Sequence, residues 1–163
     1  MVKKVLVAYF SHSGSTREVA RQIGELTGGD VFEVATANPY PGDYNKVLEM
    51  ARRELSEGKM PELKARVENI ASYDIVFIGY PIWCGTIPMA VAKFLSECDL
   101  SGKTIVPFCT HGGGGAGRSF SDVKKLCPGS VVLEGLSLKG SEVKNATPRI
   151  SEWLHKIGIE EKN

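Results

Sequence analysis

No apolar run in this chain approaches the ~20 residues that a membrane-spanning helix needs. The opening MVKK is followed by an apolar run too short for a signal-peptide core, so a cytoplasmic protein is expected. Charge of one sign is also lacking. Lys and Arg number 20 against 19 Asp and Glu, a formal net charge of +1. That balance gives no reason to expect nucleic acid or an anionic membrane as the main partner. Cysteines are few, four in all, at positions 84, 98, 109 and 127. None has C-x-x-C spacing and none pairs with His at zinc-site spacing, so free thiols in a reducing compartment are expected. Internal repeats, low-complexity tracts and dividing linkers are missing too. With 163 residues, 42% of them hydrophobic, the chain is expected to fold as one domain over residues 1–163.

What is present is an alternation of strand and helix signals. Lys4 to Phe10 reads as a first strand, apolar enough to be buried on both faces. Ser11 to Thr16 (SHSGST) is a short polar loop, and the helix after it sets Val19, Ala20, Ile23 and Leu26 on one face. Gly28-Gly29 should end that helix, and Val31 to Ala35 is a second strand. A turn-rich stretch, Asn38 to Asp43, precedes a helix over Tyr44 to Glu57, on which Tyr44, Val47, Leu48, Ala51 and Leu55 share a face. A short helical turn is expected over Arg66 to Ser72, and the long region 38–72 is expected to cover something.

Tyr73 to Tyr80 is the most apolar strand, and Pro88 to Glu97 a helix opening on proline. Lys103 to Cys109 is the fourth strand, where Pro107 demands a bulge or a missing ladder partner near the strand's end. A helix through Leu126 follows. Val131 to Leu133 is the fifth strand, extended or split by Gly135 before LSL. The last helix carries Ile150, Trp153, Leu154 and Ile157 at the spacing of one buried face. The alternation predicts an α/β three-layer sandwich with a five-stranded parallel sheet in the order 2-1-3-4-5.

Ligands of such sheets bind beyond the carboxyl ends of the strands. The loops after strands one, three and four are chemically unusual, and in that order these strands are neighbours. SHSGST leads into a helix N-terminus, where unpaired N–H groups and a partial positive charge suit an anion. The second loop, Pro81 to Pro88 (PIWCGTIP), holds Trp83 at a strand end. A flat cofactor would give that ring a stacking partner; packing against the region 38–72 is the alternative. The third loop, Thr110 to Gly117 (THGGGGAG), offers N–H groups without side-chain bulk, so a planar ring with carbonyl edges can come close.

These three loops resemble those of the flavodoxin-like family of FMN-binding proteins. Tyr9 to Thr16 is similar to the family's phosphate loop. Gly79 to Pro88 (GYPIWCGTIP) resembles the second flavin loop of one branch, and Phe108 to Gly114 (FCTHGGG) the third. The resemblance implies FMN as cofactor, with Ser11, His12, Ser13, Gly14, Ser15 and Thr16 around its phosphate. It places the ribityl chain and ring between two groups of residues. One group is Pro81, Ile82, Trp83, Cys84 and Gly85; the other is Thr110, His111, Gly112, Gly113 and Gly114. At the position of Cys84 the branch more often has an aromatic residue, so one flavin face is expected to be more open, with either Trp83 or Cys84 toward the ring. None of the three loops contains Asp or Glu, while His12, His111, Arg17 and Arg118 lie in or beside them. A neutral-to-basic rim would favour the anionic reduced flavin and so a less negative potential than acidic carriers have.

Other readings of the same residues are weaker. Gly112, Gly114 and Gly117 satisfy G-x-G-x-x-G, with Glu134 about twenty residues on, but a glycine run matches that pattern trivially and leaves SHSGST unexplained. No G-x-x-x-x-G-K-[ST] occurs, Phe10 and Tyr80 stand where a receiver domain needs acids, and Cys109 and Arg118 are too far apart for a phosphatase loop. His12, His111 and Cys84 lack the carboxylate or further His that would support a metal. The expected function is therefore an FMN-binding redox protein that passes electrons to a redox partner protein or small-molecule acceptor. The alternatives are an NAD(P)H-dependent FMN reductase acting on quinones or similar acceptors and, more weakly, a cofactor-free or nicotinamide-binding domain.

Overall fold

The structure is a computed structural model and describes residues 3–162. Strands β1 (Val5–Tyr9), β2 (Asp30–Glu33), β3 (Ile75–Pro81), β4 (Thr104–His111), β5 (Val131–Val132) and β6 (Leu136–Lys139) form one parallel sheet. Its order is β2-β1-β3-β4-β5, with β6 also paired to β4. Helices α1 (Ser15–Thr27), α2 (Tyr44–Glu57), α3 (Met89–Glu97), α4 (Ser119–Leu126) and α5 (Thr147–Ile157) cover its two faces. This is the predicted architecture, with the fifth strand position divided in two.

Side-chain alternation along the strands sorts the apolar residues into two cores. Leu6, Ala8, Val76 and Ile78 point to the face covered by α2, α3 and α4. Val5, Val7, Ile75 and Phe77 point to the face covered by α1 and α5. Both faces of β1 and β3 are therefore buried, which is why these strands read as nearly continuous apolar runs. On the second face, the buried Gln22 side chain of α1 donates to Val143 O at 2.7 Å and accepts from the Thr147 hydroxyl at 2.8 Å. That fastens α1 to the 3₁₀ turn Gly140–Asn145 and to α5 without leaving a buried polar atom unpaired.

Pro107 lies in the middle of β4 and pairs in register with Ile78 of β3, without a bulge. Val131 and Leu133 donate to the carbonyls of Lys103 and Ile105 at 3.0 and 2.9 Å, so the odd-numbered residues of β4 turn their backbone toward β5 and β6. Pro107 is the next in that series and faces the break between the two strands. The missing partner is thus real but sits mid-strand, where a ring nitrogen costs the ladder nothing. The Trp153 indole donates to Glu134 O at 3.0 Å and holds the break in place.

Three other expectations change. The short helical turn over 66–72 shrinks to a 3₁₀ turn at Ile70–Ser72. Ala35 lies beyond β2, and Thr36 instead bridges Leu63 in antiparallel fashion, so the long region folds back along the sheet edge. On α2 the buried residues are Val47 and Ala51, while Tyr44 is 56% exposed because the first helical turn overhangs the strand ends. Lys162 N–H donates to Leu26 O at 2.8 Å, which brings the end of the described chain back to the foot of α1.

Candidate cofactor site

The loops after β1, β3 and β4 meet around one cleft of about 260 Å³. From the first loop it takes His12, Ser13 and Ser15; from the second, Pro81, Ile82 and Trp83. Thr110, His111 and Gly112 close the third side. Two further residues, Tyr44 and Gly140, reach the cleft from α2 and from the end of β6.

Gly14 ends the first loop with φ +100°, a conformation that favours glycine, and turns the chain into α1 without a side-chain cap. Ser11 Oγ accepts from the N–H groups of Gly14 and Arg17 at 3.1 and 3.3 Å. The N–H groups of Ser15 and Thr16 have no acceptor among the described residues. They share the positive end of α1 with the hydroxyls of Ser13 and Ser15, a donor set that fits a phosphate or similar anion. Thr16 lies deeper, 1% exposed, and its hydroxyl shares a 2.8 Å hydrogen bond with that of Thr110, tying the first loop to the third.

The second loop contains a tight reversal. Trp83 and Thr86 exchange backbone hydrogen bonds of 3.0 and 3.1 Å around Cys84 and Gly85, whose φ values are +54° and +77°. Positive φ at both central residues is the mark of a type I′ turn. The turn carries Cys84 away from the cleft lining and sets the indole of Trp83 inward, 2% exposed. Tyr40, Phe10 and His12 meet that indole edge-on, with ring centroids at 5.0, 5.3 and 6.0 Å. The His12 ring donates through Nε2 to Pro41 O at 2.9 Å, and Tyr40 donates to Glu54 at 2.7 Å. Residues 38–43 are thereby strapped over the indole, so the long region covers Trp83.

The third loop closes on the second. Arg118 N–H donates to Gly85 O at 2.9 Å, and at Gly117 (φ +56°) a Cβ would collide with that same carbonyl. Thr86 Oγ1 donates to Asp122 of α4. Gly112, Gly113 and Gly114 are exposed, and the N–H of Gly113 donates to His111 Nδ1 at 3.0 Å.

Of the residues singled out in sequence, nine line the cleft, and Ser11, Gly14 and Thr16 shape the first loop from behind. Cys84, Gly85, Gly113 and Gly114 lie outside the lining. Gly140 was not foreseen. The expected neutral-to-basic rim is narrowed by two ion pairs: Arg17 pairs with Glu33 and Arg118 with Asp122, each at 3.1 Å, so neither is an unpaired cation beside the cleft. Burial pushes the Cys109 and Cys98 thiols up to about 11, consistent with inert hydrophobic roles.

Comparison with known proteins agrees with this fold. No protein of curated function matches the chain. A candidate flavoprotein of Bacteroides eggerthii DSM 20697 superposes with a TM-score of 0.86 at 36% identity, over 97% of this chain and 99% of that one. A second, from Bacteroides uniformis ATCC 8492, gives 0.82 at 29% identity over 93% and 99%. A flavoprotein of Lactobacillus acidophilus NCFM, crystallised in complex with FMN, gives 0.74 at 25% identity over 87% and 97%. The sequence pattern of the flavodoxin family matches residues 4–157, and with the sheet order in agreement, the chain belongs to the flavodoxin family.

Proposed function

We propose that this protein is a redox protein that transfers electrons through a non-covalently bound FMN. The observation that carries the reading is the pair of N–H groups at Ser15 and Thr16 without an acceptor among the described residues, at the start of α1 beside a cleft lined by all three strand-end loops. A phosphate there would satisfy both groups and lie at the positive end of α1. The Lactobacillus relative crystallised with FMN supports the same cofactor. The bound flavin would supply the electron-accepting and electron-donating ring.

The protein's own residues bind and orient it. Ser11 and Gly14 hold the first loop in shape, while Ser13, Ser15 and Thr16 donate to the phosphate. Pro81, Ile82 and Trp83 form one wall of the ring site, and Thr110, His111 and Gly112 the other. Trp83 is fixed by Phe10 and Tyr40, so the wall is rigid before the cofactor arrives and little ordering cost remains at binding. Cys84, Gly85, Gly113 and Gly114 act indirectly, by setting the turn and the loop backbone.

One feature supports a reductase rather than a pure carrier. The third loop ends in exposed glycines and brings no aromatic ring over the cleft, which leaves room for a second planar reactant. The test is direct. Apo-protein is titrated with FMN and followed by flavin fluorescence, and the complex is then mixed anaerobically with NADH or NADPH. Saturable quenching supports the cofactor assignment, and its absence rejects it. Rapid bleaching by a pyridine nucleotide selects the reductase; no bleaching selects the carrier.

A further inference from the structure

A second cleft, of about 500 Å³, opens beyond the carboxyl ends of β1 and β2. His12 lines both clefts, so they adjoin at the first loop. The wall of the second cleft is apolar, made by Phe10, Val34 and Leu63, and wide enough for a planar base. Its charged lining residues are Glu33, Glu62 and Lys64.

Glu33 is the last residue of β2, roughly twenty residues after the first loop. In nucleotide-binding α/β folds a carboxylate at this place accepts from the ribose hydroxyls while the phosphates sit at the first helix N-terminus. Here Glu33 Oε2 accepts from Arg17 at 3.1 Å, which fixes the carboxylate. Oε1 has no donor among the described residues and remains available to a diol.

We propose that this cleft binds an adenosine-type nucleoside with a free ribose diol, the nucleoside end of a dinucleotide. The proposal rests on the cofactor reading above for what occupies the neighbouring cleft. The base lies against Phe10, Val34 and Leu63. The diol donates to Glu33 Oε1, and the ammonium of Lys64 balances phosphate charge. Two sources share this chemistry: the adenylyl half of FAD, bound in place of FMN, or the adenosine half of a pyridine dinucleotide bound together with FMN.

The experiment begins with the fluorescence titration of apo-protein with FMN, which reports on the cofactor reading alone. FMN-loaded protein is then titrated calorimetrically with AMP and NAD⁺, and apo-protein with FAD. The same titrations are run on Glu33→Gln, an exposed change, and Leu63→Trp, which fills the apolar wall. AMP and NAD⁺ should bind, and Glu33→Gln should weaken both by about tenfold, the usual loss for one charged hydrogen bond. Leu63→Trp should abolish their binding while FMN affinity stays within about twofold.

FAD binding more tightly than FMN, with the excess lost in Leu63→Trp, assigns FAD as the source. AMP and NAD⁺ binding without an FAD advantage assigns the pyridine dinucleotide. Failure of AMP, NAD⁺ and the FAD excess alike, or binding indifferent to both variants, overturns the inference. If FMN does not bind but AMP does and responds to both variants, the cofactor reading falls and this site stands.

Discussion

The hydroxyls of Thr16 and Thr110 share a buried 2.8 Å hydrogen bond across the floor of the cofactor cleft. Thr16 belongs to the first turn of α1 and Thr110 to the end of β4, elements far apart in sequence and joined here by one bond. Thr110→Val leaves the Thr16 hydroxyl buried without a partner. It should cost about 1–3 kcal/mol in urea denaturation. The double variant Thr16→Val with Thr110→Val should regain part of that loss, because two apolar groups then meet where one polar group was stranded. Losses that simply add would show that the hydroxyls do not act as a pair.

Gly117 is the point where the third loop touches the second. Its Cβ position falls on the carbonyl of Gly85, and its φ of +56° disfavours a side chain. Gly117→Ala should therefore destabilise the protein by about 1–3 kcal/mol, the range for overpacking. It should also weaken FMN binding, since separating the loops moves the wall that Trp83 ends. A variant with unchanged melting temperature and unchanged FMN affinity would show that the contact relaxes at no cost.

Cys84 holds φ +54° without being glycine. The left-handed conformation costs an L-residue roughly 1–2 kcal/mol, so Cys84→Gly should gain stability, less the added chain entropy of glycine. The expected net effect is small and favourable, about 0.5 kcal/mol. Cys84→Val, β-branched at the same φ, should lose stability instead. The comparison of the two in thermal melts isolates the backbone from the thiol.

The Tyr40–Glu54 contact should show in a pH titration. Burial raises the Glu54 carboxyl above its ordinary value, and the hydrogen bond from Tyr40 partly opposes that rise. A raised folded-state value means that the folded protein holds the proton longer. Stability from this group is thus present below the ordinary carboxylate range and lost as pH rises through the raised value. Tyr40→Phe removes the opposing hydrogen bond, so Glu54 should titrate at still higher pH in carboxyl-detected NMR. A titration that stays in place, or moves down, would refute the assigned cause.

The sheet order and the helix α2, Tyr44–Glu57, were legible from alternation and periodicity alone. The three loops were legible because strand ends in such sheets converge, so unusual chemistry after β1, β3 and β4 had to meet. The exposure of Tyr44 was not, since helical spacing assigns a face but cannot say where the neighbouring sheet ends. Gly140 enters the cleft only because the break after β5 redirects the chain, and a lone glycine after a strand carries no mark of that. Of the two readings of Trp83, packing against the long region is seen in its contact with Tyr40, and the indole also reaches the cleft lining. The salt bridges of Arg17 and Arg118 were missed because loop composition leaves out partners on β2 and α4.

The return of the chain to the foot of α1, through the hydrogen bond from Lys162 to Leu26, has a practical consequence. Lys4, ahead of β1, and Lys162 both lie at the end of the sheet away from the three loops. Attachment through either lysine, to a surface or a bead, would leave the cleft facing outward. An immobilised sample should therefore titrate with FMN as a dissolved one does.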